Sequence, residues 1–326
     1  MRSITLFSAS LFLILGSGIS HGSEIKRLEV TPIPSIDATK RGNESIGKMV
    51  YRGGVEIEAV DTRFGGFSSL YVKPGTDEFL SVSDVAYRMT GRLLFNQQGM
   101  LVGLEGVDLE PLLDESGVRF DGKTNRDAEA ITSDGEGGVL VAFERNHRIV
   151  QYAGLAEGNA KPFPAPQGLL DAPKNGGAEA MTRLSDGRLL VMTEDYKGDD
   201  AGMRRAWVGA DGRWIDFHYV VFDGYEPTDA ALSPDGKYVY VLERAYTPVI
   251  GARARIRRFL QRELRSGARI VGELMGEMGL THVTDNFEGI SVVEKSDGGV
   301  RVYIISDDNF GTLQDTYLLA FDVEMP

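Results

Sequence analysis

Short apolar runs and turn-forming clusters alternate along the chain, at the spacing of strands rather than helices. Runs such as "VLVAF", "LLVMT", "VYVLE" and "VYIIS" are rich in Val, Leu, Ile and Tyr. Each follows a cluster such as "SDGEGG", "LSDGR", "SPDGK" or "KSDGG", where Asp and Gly accept the backbone angles of tight hairpin turns. Long helical periodicity is scarce. The stretch "ARARIRRFLQRELRSGARIVGEL" could form a helix, but its place in the pattern suits an outer hairpin.

The pattern repeats. Four stretches share one template: "DAEAITSDGEGGVLVAFERN", "GAEAMTRLSDGRLLVMTEDY", "PTDAALSPDGKYVYVLERAY" and "NFEGISVVEKSDGGVRVYIISDDN". "GFSSLYVKPGTDEFLSVSDVAY" is a weaker first copy. Further strand-like runs follow each pair, so every copy reads as an antiparallel sheet of about four strands. The expected fold is an all-β propeller of five blades, with "VYRGGVEIEAV" or "IKRLEV" completing the last sheet and closing the ring. A sixth blade would fit if residues 25–60 and 96–120 formed one. An open β-sandwich is the main alternative.

Aligned on their acids, the copies place Ser68, Glu129, Glu179, Asp229 and Glu288 at one position, with intervals of 61, 50, 50 and 59. An inner strand starting at one face of a ring is followed by an antiparallel strand ending at that face. Acids at the ends of the second strands, Asp84, Glu144, Glu194, Glu243 and Asp307, should therefore join the first set at one mouth of the central channel. Crowded carboxylates repel, hold protons or bind cations. Oxygen donors at flexible spacing suit Ca²⁺, whereas zinc or copper favours histidine or cysteine. The chain has four histidines and no cysteine. The expected cation ligands are Glu129, Glu179, Asp229, Glu288 and Asp307. Basic residues beside them, including Arg145 and Arg244, would give a mixed face able to hold an anionic ester.

Composition adds location and excludes partners. The 326 residues are 42% hydrophobic and 25% charged, enough for a sizeable core. Arg2, the apolar "LFSASLFLILGSGIS" and the small residues at its end read as an export signal over 1–22, leaving residues 23–326 as one domain. A retained anchor is the alternative, but the apolar run is short for a span. The protein is expected in the periplasm or secreted, with no stable membrane insertion after cleavage. Without cysteine it has no disulfide and must be held by its core or by ions. The formal net charge is −13, and −14 once the segment with its single arginine is removed. That excludes nucleic acid as a natural partner.

Two motifs mislead. "GVRFDGKT" matches the phosphate-loop pattern, but a repeat strand follows where a helix is needed, so it reads as a loop between blades. There is no G-x-S-x-G, so nothing marks a serine nucleophile, and Ser68 has no histidine near it in sequence.

At "DAEAIT", "GAEAMT" and especially "NFEGISVV…VYIISDDNF…DTYLLAFDV", the chain resembles the bacterial phytase-like family, described by an esterase-like activity of phytase. The resemblance runs from about Phe64 to Val323. It implies an exported propeller whose repeated acids serve phosphoester hydrolysis. The family's recurrent acid falls on Glu129, Glu179 and Glu288, and its acid after the next strand on Glu144, Glu194 and Asp307. Asp229 and Ser68 depart from that pattern. The expected activity is Ca²⁺-dependent phosphoester hydrolysis, with Glu144 or Glu194 as general base and Arg145 and Arg244 stabilising charge. A non-catalytic, cation-stiffened binding propeller and a lactonase-like metal hydrolase are the alternatives.

Overall fold

The structure is a computed structural model and describes residues 24–37, 44–153, 160–198, 200 and 202–323. The expected export signal lies outside them. The described chain is all-β, strands joined by turns and loops with very little helix, and is arranged like a propeller. Its helical segments are Lys123–Arg126, Gln167–Asp171 and Gln261–Glu263, and no described helix is long and apolar enough to cross a membrane.

The sheets divide into four-stranded antiparallel units, one per sequence repeat. The first unit is Phe67–Val72, Glu78–Ser83, Tyr87–Phe95 and Leu101–Pro111. The second is Ala128–Ser133, Val139–Phe143, Arg148–Tyr152 and Ala160–Phe163. The third is Ala178–Arg183, Leu189–Lys197, Met203–Ala210 and Arg213–Val220. The fourth is Glu226–Leu232, Tyr238–Thr247, Gly251–Leu260 and Glu273–Met278, so the basic stretch with helical potential is an outer hairpin. The fifth takes Asn286–Glu294, Val300–Asp307 and Thr316–Val323 from the end of the chain and Met49–Glu58 from its beginning. Of the two early segments that could complete that sheet, "VYRGGVEIEAV" does so, and Glu29–Ile33 pairs outside it. Residues 96–120 belong to the first unit and the loop after it, not to a further sheet.

The first and fifth units meet through Gly53, which pairs with Leu101 in parallel. A Cβ on Gly53 would lie 2.4 Å from the Leu101 carbonyl oxygen, so only glycine permits this approach.

The core lies between units rather than within them. Leu80, Val82, Val141 and Phe143 pack between the first and second units, and Leu140, Ala142, Met181 and Val191 between the second and third. Leu190, Met192, Val239 and Val241 fill the next gap, followed by Tyr240, Leu242, Ile290 and Ile304. Val55, Leu318, Leu70 and Phe79 do the same between the fifth unit and the first. Strands covered on both faces read as continuous apolar runs, as "VLVAF" does. Hydroxyls lock neighbouring inner strands. Arg183 N–H donates to Thr132 Oγ1 and Leu232 N–H to Thr182 Oγ1, each at 3.1 Å, and Val72 N–H to Ser291 Oγ at 2.9 Å.

Candidate metal centre

Every inner strand carries a β-bulge at its start. The pairing register slips across Ser68, Glu129, Glu179, Thr228 and Glu288. An extra residue leaves the ladder unpaired and re-aims its side chain, a common device beside functional sites. The repeated position is thus a backbone feature, and in the fourth unit it belongs to Thr228. Aligning the copies on their acids put Asp229 there; the register corrects it by one residue.

That shift gives Asp229 a different role from the expected cation ligand. It is fully buried at the centre, where its Oδ2 accepts from Ser69 Oγ at 2.8 Å and Ile290 N–H at 2.9 Å. Its Oδ1 accepts from Ala230 N–H at 2.8 Å. Ser69 Oγ in turn accepts from Ile131 N–H at 3.0 Å. Asp229 pins inner strands together, and its oxygens are already engaged by donors from the chain.

The same register fixes the second-strand positions. Asp84, Glu144, Glu194 and Asp307 stand across from Gly66, Asp127, Gly177 and Asn286 at the strand starts. In the fourth unit Arg244 stands across from Glu226. Glu243 therefore leaves the expected ring: it is buried one residue earlier, where it accepts from Tyr219 Oη and pairs with Arg255. Three glutamates at bulges, four acids at strand ends and one arginine face one mouth.

Electrostatics tie them together. Burial pushes the Glu129 carboxyl well above its usual range, with Asp127, Glu144 and Glu288 adding repulsion. Glu179 is raised by burial and then by Glu129 and Glu194, and Asp307 by burial and Glu288. Burial raises Asp84 to about 6, with Asp127 contributing. Glu194 is raised to about 7 by burial, against the pull of Arg244. The Arg244 guanidinium is held more firmly protonated by Glu288 and Glu194, at 3.3 and 2.7 Å.

One corner has the arrangement a cation needs. Asp127, Glu129 and Glu144 are buried and offer carboxylate oxygens that all lie within 4.8 Å of one another. Three buried carboxylates this close together offer hard oxygen donors of the kind Ca²⁺ takes. Nearby, Asp84 Oδ1 is buried with no hydrogen-bond partner. Backbone and cations set the triad's shape. Glu144 Oε1 accepts from Gly177 N–H at 3.1 Å and also from Gly176 N–H, and Arg145 pairs with Asp127. His147 Nε2 donates to the Pro173 carbonyl at 3.0 Å, leaving Nδ1 buried without a partner. A Cβ on Gly177 would lie 2.6 Å from that Nδ1 and 3.2 Å from Glu144 Cγ, so glycine makes room for both.

Of the sequence candidates, the structure brings Glu129 and Glu144 into the triad and sets Glu194, Glu288 and Arg244 in an ion-paired group. Glu179 is electrostatically joined to both, and Asp307 to Glu288. Asp127 escaped sequence reasoning, because aligning the copies on their acids sets Pro227 at its position in the fourth copy, whereas the register sets Glu226 there. A wide groove lies elsewhere. It has about 1070 Å³ at the opposite end, but its cations Arg52, Lys295 and Arg301 all converge on Asp322. The phosphate-loop look-alike spans a loop and one helical turn, without the strand–loop–helix geometry of a nucleotide site.

The sequence profile of the family "Phytase-like: Esterase-like activity of phytase" matches residues 62–310, and the chain belongs to this family. Curated protein sequences give no match. Among solved structures, a streptogramin B lyase is similar at 12% identity and a TM-score of 0.41, covering 90% of this chain and 96% of that one. The WD40 repeats of RRP9 are similar at 10% identity and a TM-score of 0.39, over 85% and 76%. A protein of unknown function from Bacteroides caccae is similar at 9% and 0.32, over 76% and 70%.

Proposed function

We propose that this member of the phytase-like family is an exported, five-bladed closed propeller that hydrolyses an anionic ester, a phosphoester first, at a Ca²⁺-binding mouth. The observation that carries the reading is the buried triad of Asp127, Glu129 and Glu144, with oxygens within 4.8 Å of one another. It fits a hard divalent cation, and the orphaned Asp84 Oδ1 beside it adds to the fit. A cation bound there would neutralise phosphoryl oxygens and make water more acidic.

The chain's own residues then divide the work. Glu144 acts as a ligand rather than a base, since Gly176 and Gly177 N–H groups fix it in place. Arg145 orients Asp127 and is a positioning residue. Glu194 is the general base: a carboxyl raised to about 7 can exchange a proton with water near neutral pH. Arg244, next to Glu194, offers positive charge to the ester's anionic group.

Arg145 and Arg244, the arginines expected to hold the ester, are already paired with the chain's own acids, which favours a second reading, a cation-stiffened propeller that binds without turnover. Phosphate release from phytate and p-nitrophenyl phosphate, with Ca²⁺ and with chelator, separates the two. Chelator-sensitive release supports hydrolysis. Chelator-sensitive thermal stability without release from a broad ester and lactone panel removes it.

A further inference from the structure

Exposed apolar side chains are not spread evenly over this molecule. Large ones stand on the loops that leave the second and fourth strands of the units, which all open at the acidic mouth. Val60, Val118, Leu170, Val249, Leu280 and Leu313 stand there, one on each of six loops. Among the described residues, all the large exposed apolar side chains lie on this face except Leu94, Val271 and Leu274. Three are nearly bare: Leu313 is 94% exposed, Val249 93% and Leu280 76%. The turns at the opposite end, such as "SDGEGG" and "SPDGK", are polar.

We propose that this face seats on a lipid bilayer, its apolar loop tips entering the interface around the acidic mouth. Scattered apolar residues are ordinary on a protein surface, but a one-sided crown rimming a polar centre is not. The occupant follows from geometry and charge. These tips, with Phe222 on the loop after the third unit, come from loops of all the units, so a compact ligand could not touch them together, whereas a flat apolar layer can. A second copy facing the first would bring two acidic mouths together.

The chain itself leads to this surface. The described chain begins at Glu24, and the export signal expected ahead of it would be delivered at this face before cleavage. Arg63 Nη2 donates to the Glu24 carbonyl at 3.0 Å, and Val60 N–H to the Lys26 carbonyl at 3.0 Å. The start of the described chain is thus tied to the rim loop that carries Val60. The contact is peripheral, made by short loop tips, and does not depend on catalysis.

The chain has no cysteine, so single labels test this directly. Val249→Cys, Leu280→Cys and Leu313→Cys in the full chain would each carry an environment-sensitive fluorophore, with Glu136→Cys as the opposite-end control. With phosphatidylcholine vesicles the rim labels should shift to the blue and be quenched by a lipid-borne quencher, while Glu136→Cys stays in water. Adding Val249→Asp and Leu313→Asp to the Leu280→Cys chain should weaken vesicle partition of that label by at least about tenfold. Unshifted rim labels, or equal shifts at both ends, overturn the proposal. So do unshifted labels on a chain that self-associates in sedimentation, which would assign the face to a second copy.

Discussion

Arg244 Nη2 lies 2.7 Å from Glu194 Oε1, and it reaches there from the register position that the other four units fill with an acid. The fourth unit thus reverses the sign of the mouth at one point. It pairs with both Glu194 and Glu288, whereas in the corner of Asp127, Glu129 and Glu144 Arg145 pairs with Asp127 alone. The asymmetry divides the mouth into a cation side and an anion side.

Removing that cation should cost both stability and protonation control. Arg244→Leu leaves two largely buried carboxylates unpaired, an effect of about 1–3 kcal/mol given the partial exposure of the arginine. Urea denaturation measures it. Glu194 should then titrate above its present value of about 7, moving the acid limb of any pH–rate profile upward. Wild-type stability in Arg244→Leu would show the pair to be an exposed, idle contact.

The raised carboxyls give a pH signature. Asp84, at about 6, and Glu194, at about 7, bind protons more tightly folded than unfolded. Their contribution to stability is complete below the unfolded value near 4 and is lost as pH rises through 6 to 7. Asp61 and Asp322 are shifted the other way by their arginine partners, and their loss comes at lower pH, outside this window. Chelated protein should therefore melt at a higher temperature at pH 5 than at pH 8, and Ca²⁺ should narrow the gap. Thermal scans across pH with and without chelator check this.

Gly177 should be needed for the metal corner. In Gly177→Ala the new methyl meets the His147 ring at 2.5 Å and Glu144 Cγ at 3.2 Å. One of them must move, and Ca²⁺ affinity should fall by about tenfold or more as a ligand is displaced. Calorimetric titration of the variant reads the change. Unaltered affinity would place the cation away from Glu144.

Asp229 separates structure from ion binding. Asp229→Ala leaves the Ser69 hydroxyl and the Ile290 and Ala230 N–H groups without their acceptor in a buried centre, a loss of about 3 kcal/mol or more. Denaturant melts should show that loss while Ca²⁺ affinity of the folded protein stays at the wild-type value. A lost ion with intact stability would return Asp229 to the ligand set.

Much of this architecture can be read from the chain because hairpin chemistry repeats. Asp-Gly turns and apolar pairs mark every unit, and the early strand that completes the last sheet shows the same alternation. The site was harder to read because acids were matched to acids. Setting "VYVLER" directly against "VYIISD" by their apolar residues puts Arg244 opposite Asp307 and frees Glu243 for the core. The bulge at Thr228 has no such signal, since turn lengths differ between copies and a register slip leaves no fixed residue type. Asp127 was hidden by the same mismatch: with acids matched to acids Pro227 falls at its position, whereas the register sets Glu226 there.

The most direct test is titration of Ca²⁺ into chelator-stripped protein, for wild type and Glu129→Gln in parallel. Wild type should bind. Glu129→Gln, which keeps the shape but removes one carboxylate from the triad, should bind at least about tenfold more weakly and be more stable than wild type without the ion. No binding by wild type at millimolar Ca²⁺, or equal binding by the two, would contradict the account.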